Sequence, residues 1–85
     1  MDQAQPEEQS QTEQELKLSY VNTQITEMEA IIRRNEVDIY INKDIKWLPH
    51  EQKGVDAQIE TLETENEKLS KAVVSLKKLK LELEK

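Results

Sequence analysis

The sequence predicts an all-α protein in which two long helices fold into an antiparallel coiled-coil hairpin, with a parallel leucine zipper as the alternative. Three observations predict it. Leu62, Leu69, Leu76 and Leu83 recur every seven residues with Ile59, Asn66, Val73 and Lys80 interleaved, a heptad seam with leucine at d and β-branched Ile59 and Val73 beside Asn66 at a. A second seam with the same alternation of three and four runs through Leu18, Val21, Ile25, Met28, Ile32, Asn35 and Ile39 to Asn42. Between the seams, residues 47–54 hold Pro49 and the only Gly, where a helix is expected to break.

Composition agrees with this class. Charged residues make up 35% of the chain, aromatic residues 4%, and there is no Cys. A chain of 85 residues without disulfides or thiolate metal sites depends on helix packing and on association for its stability. There is no apolar run long enough for a membrane span or signal peptide, so an intracellular, cytoplasmic protein is expected. The net charge of −6 is concentrated at the start: Asp2, Glu7, Glu8, Glu13 and Glu15 face no base before Lys17. The rest is close to neutral, which argues against general affinity for nucleic acid or an anionic membrane.

In chain order, residues 1–11 are mostly Gln, Glu, Asp, Ser and Pro6 with almost nothing to bury, and read as a disordered acidic tail. Thr12 followed by Glu15 is a capping box that starts the first helix, over residues 12–46; Ser10 with Glu13 is a competing cap. Residues 36–42 also alternate in the period of a strand, Val37, Ile39 and Ile41 against Asp38, Tyr40 and Asn42. A lone strand would leave its backbone groups unpaired, which favours helix. Residues 47–54 are the expected turn and 55–85 the second helix, with Pro49 as a competing first helical residue at the cost of enclosing Gly54.

Folding the chain back so that each a layer meets a d layer gives one continuous register, in which paired residue numbers add to 101. The layers are Leu18 with Leu83, Val21 with Lys80, Ile25 with Leu76, Met28 with Val73, Ile32 with Leu69, Asn35 with Asn66, Ile39 with Leu62, and Asn42 with Ile59. The two mid-helix asparagines meet, and an Asn pair fixes register at some cost in stability. The parallel zipper is weaker. Its flanking pairs, Gln58 with Glu63, Glu65 with Ser70, Ala72 with Lys77 and Leu79 with Glu84, include no opposite charges.

No catalytic, cofactor or metal site is expected. His50, the only imidazole, has no nucleophile or ligand set beside it and reads as a turn histidine. A basic helix ahead of a zipper would point to DNA, but Arg33, Arg34, Lys43, Lys46 and Lys53 are matched by Glu36, Asp38, Asp44 and Glu51, and Pro49 interrupts the segment. The run Lys68, Lys71, Lys77, Lys78 and Lys80 reads as charge meeting the dipole at a helix C-terminus.

Val37, Ile41, Ile45 and Leu48 fall outside the seam and form a stripe for a partner, with Val74 and Leu81 similarly placed on the second helix. The expectation is a non-enzymatic coiled-coil scaffold subunit of a larger assembly, as a homo-oligomer or in a heteromeric helical bundle, with no nucleic acid and no membrane insertion.

Two resemblances accompany this reading. The run Val55-Asp56-Ala57-Gln58-Ile59-Glu60-Thr61-Leu62, continued by Glu67-Lys68-Leu69-Ser70-Lys71-Ala72, resembles the stalk coiled coil of the ubiquitin-binding subunit of an endosomal sorting complex. That resemblance implies a stalk-type subunit. A helix, a β-like segment at 36–48 and a second helix with Ile59-Glu60-Thr61-Leu62-Glu63 is similar to small prefoldin-type chaperone subunits, whose strand glycine is absent here. That layout implies a subunit holding clients between hairpin arms, assembled through β-structure at 36–48.

Overall fold

The computed structural model describes residues 12–85, and the acidic tail at 1–11 and the Ser10 cap lie outside them. Two helices follow in order, α1 (Glu13–Asp44) and α2 (Pro49–Glu84). Thr12 is the N-cap of α1: its hydroxyl accepts from the Glu15 N–H at 3.0 Å while its own N–H donates to the Glu15 carboxylate at 2.8 Å. Glu13 and Glu15 in the first turn and Lys43 in the last complement the helix dipole. The ambiguous segment at 36–42 is helical, because α1 carries on to Asp44 and supplies each backbone group with a partner inside the helix.

The turn is tighter than the sequence suggests. The first helix stops at Asp44 rather than 46, and the second starts at Pro49 rather than 55, leaving Ile45–Leu48 as the connection. Ile45 is extended at φ −76°, ψ 139°, and Leu48 at φ −70°, ψ 152°, the latter being the geometry that the following Pro49 imposes. Leu48 offers no side-chain cap, but its N–H donates to the Glu51 carboxylate at 3.1 Å and its carbonyl accepts from the N–H groups of Glu51 and Gln52. Pro49 at the first helical position loses no hydrogen bond there. These terms outweigh the cost of about 1 kcal/mol for Gly54 inside α2. Gly54 has no positive φ, and a Cβ added to it would meet nothing within 4 Å. The Trp47 indole N–H donates to the Asn42 carbonyl at 2.9 Å, satisfying one of the acceptors that the end of α1 leaves free.

The helices run antiparallel. Gln14 contacts the Leu83 carbonyl, Glu29 pairs with Lys77, Asn35 bonds Asn66, and Lys43 pairs with Glu63, so later positions in α1 meet earlier ones in α2. The hairpin is a rod of 69 × 28 × 15 Å with a radius of gyration of 20.1 Å. A globular chain of this length would have about 12 Å. Burial is correspondingly thin. Val21, Ile25 and Val73 form one core cluster, with Met28, Ile32, Leu76 and Leu83 packed against it, and among the described residues no side chain is completely enclosed.

Candidate interaction surface

The heptad pattern sorts the surface into three zones: the seam, its two flanks, and the faces turned away from it. In the seam, Val21, Ile25, Asn35, Ile59 and Val73 are buried, while Leu18, Met28, Ile32, Ile39, Leu62, Asn66, Leu69, Leu76 and Leu83 are half-buried. Asn42 and Lys80, the polar members of their layers, are half-buried too.

The asparagine layer forms, with one more participant than the sequence suggests. The Asn35 amide donates to Asn66 Oδ1 at 2.9 Å and to Glu65 Oε1 at 2.7 Å, which uses both of its hydrogens. The Asn66 amide donates in turn to the Ile32 carbonyl at 3.2 Å. Among the described residues no buried side-chain polar atom lacks a partner. A slip of register would strand the buried Asn35 amide among aliphatic side chains, at about 1–3 kcal/mol for the unsatisfied group.

The two flanks differ in chemistry. On one, Lys77 meets the half-buried Glu29 at 3.0 Å and Lys43 meets Glu63 at 3.3 Å, surface pairs that are individually weak. The signal for them was available, since Glu29, Lys43, Glu63 and Lys77 all occupy heptad position e, and e faces e in an antiparallel pair. The lysine run stops short of the last turn of α2, which holds no base, and Lys77 is engaged across the seam. On the other flank, at the open end of the hairpin, Leu16, Tyr20, Val21, Leu76, Leu79 and Leu83 line a groove of about 620 Å³ edged by Glu13 and Lys17. Leu16, Tyr20 and Leu79 were not singled out from the sequence. Their signal is that Leu16 and Tyr20 repeat, three heptads earlier, the spacing of Val37 and Ile41.

The stripe read from the sequence is exposed throughout: Val37 at 55%, Ile41 at 46%, Ile45 at 44% and Leu48 at 57%. It is not one helical face, however. Val37 and Ile41 lie on α1, whereas Ile45 and Leu48 sit in the connection, because α1 ends at Asp44. Val74 and Leu81 are exposed on α2. His50 is exposed in the first turn of α2 rather than in the connection, and among the described residues no cluster of three or more His, Cys, Asp or Glu could hold a metal ion. Among the described residues no helix is long and apolar enough to cross a membrane.

No family model, curated protein or solved structure matches this chain.

Proposed function

We propose that this chain is a non-enzymatic coiled-coil interaction subunit, a cytoplasmic scaffold rod that works inside a larger helical assembly. The observation that carries the reading is the exposure of Val37, Ile41, Ile45 and Leu48 on a hairpin whose own core is one thin seam. Burying four aliphatic side chains contributes roughly 6–12 kcal/mol before the costs of association. Two of the four close α1 and two lie in the connection that follows, so the exposed apolar side chains gather toward the closed end of the hairpin, where soluble monomers avoid leaving large apolar surface. The lack of Cys suits a reducing compartment. The prefoldin-type alternative requires β-structure at 36–48, where α1 is helical to Asp44 and no described residue is in a strand. The endosomal-stalk alternative rests on residues 55–62 and 67–72 alone.

The test is to recover the chain with its native partners, as wild type and as Ile41→Glu and Ile45→Glu. The expected result is a wild-type assembly by light scattering and variants that keep their helicity but lose their partners. A well-folded, non-aggregating monomer whose variants bind as the wild type does would overturn the proposal.

A further inference from the structure

Deepening that reading, and resting on it, we infer that the occupant of the apolar strip on α1 is a second copy of this chain, laid antiparallel along the face of α1 opposite the seam. This face has a heptad rhythm of its own, steps of four and three alternating from Leu16 to Ile41, with every position on it exposed. It is apolar at both ends and polar or small in the middle. A ligand helix of uniform character does not fit such a strip. The strip reversed fits it.

Antiparallel pairing sets Leu16 against Ile41 of the second copy and Tyr20 against its Val37, so each apolar end covers the other. The central layers become Thr23 with Arg34 and Glu27 with Ala30, and the small Ala30 leaves Glu27 room to reach the Arg34 one turn further along the second copy. Beside the strip, Lys17 faces Asp38 of the second copy, and two-fold symmetry repeats the pair. Among the described residues Glu27, Arg34 and Asp38 have no ion-pair partner within the hairpin, and Lys17 has only a 4.0 Å contact to Glu13. The competing alignments fail on the same residues. A parallel pair stacks Glu27 on Glu27 and Arg34 on Arg34; a shift of one heptad sets Leu16 against Arg34 in one direction and Val37 against Glu27 in the other. The groove at the open end shares Leu16 and Tyr20 with this strip, so one end of the strip already borders an apolar hollow.

The full chain, which has no native cysteine, permits a direct test. Tyr20→Cys and Val37→Cys chains, both altered at exposed positions, are mixed and oxidised, while sedimentation equilibrium of the wild type reports its mass. The expected results are a dimer in the micromolar range and a mixed 20-to-37 disulfide, with little bridging in either variant alone. Lys17→Glu is expected to weaken the dimer about tenfold, and Asp38→Lys in the same chain to restore it, with helicity unchanged. Predominant 20-to-20 bridges would overturn the antiparallel pair, and so would a charge reversal without rescue. A wild-type monomer throughout the micromolar range overturns the second copy as occupant; if native partners still depend on Ile41, the interaction-subunit reading survives that result.

Discussion

The two halves of the hairpin hold themselves together differently. Toward the open end, Val21, Ile25 and Val73 form an apolar cluster with Met28, Ile32, Leu76 and Leu83 around it. Toward the connection, the seam runs through the Asn35, Asn66 and Glu65 network, the half-buried Asn42 and a single buried apolar residue, Ile59, with the exposed Lys43–Glu63 pair alongside. Apolar contact is non-directional and stabilises neighbouring registers almost equally, whereas a buried amide accepts few arrangements. The open half therefore supplies most of the stability, and the other half fixes how the chain folds back.

This contrast breaks most readily at the cluster. Ile25→Ala removes a buried side chain from a site with little room to collapse, and about 2–4 kcal/mol of stability is expected to be lost. Ile39→Ala, half-buried nearer the connection, is expected to lose roughly half as much. Urea denaturation of both variants measures the asymmetry, and equal losses would remove it. Asn66→Leu comes next. It removes one of the two acceptors of the Asn35 amide, whose bond to Glu65 remains, and costs about 1–3 kcal/mol for the N–H left facing an apolar neighbour, partly offset by new burial. The double variant Asn35→Leu, Asn66→Leu is expected to be more stable than either single one and less particular about register; a double-mutant cycle with no coupling would dismiss the network as a register device.

Smaller effects sharpen the comparison at the helix starts. Thr12→Ala takes one side from a complete capping box and is expected to cost about 1 kcal/mol, visible as fraying of α1 by amide exchange. Gly54→Ala acts at the opposite end and in the opposite direction. With space for a Cβ and helical backbone already in place, it is expected to raise stability by about 0.4–1 kcal/mol, and a loss instead would mean that the first turns of α2 are not helical in solution. The least effect is expected from the Lys43–Glu63 pair, where a double-alanine cycle should return a coupling below about 0.5 kcal/mol, because both side chains remain more than half exposed.

The sequence by itself determined the helical class, the inward face of each helix and the meeting of Asn35 with Asn66. Those features are periodic: a stripe repeating every three and four residues can be buried only along a helix, and two such stripes of opposite direction align in few ways. It also marked Thr12 as the cap, since that box is closed by residues three apart. Only the tertiary structure decided the rest. Pro49 and Gly54 each carried a plausible boundary, and the choice fell on Pro49 through the Glu51 bond to Leu48 and the helical hydrogen bonds gained by the longer α2. Glu65 entering the asparagine layer, the Asn66 bond to the Ile32 carbonyl and the Trp47 bond to the Asn42 carbonyl have no sequence period. The first two depend on which acceptor a packed side chain can still reach once the helices are side by side, and the third on how the connection turns back over the end of α1. That reach is a property of the assembled pair, because a donor that water would satisfy in either isolated helix must find its partner inside the seam.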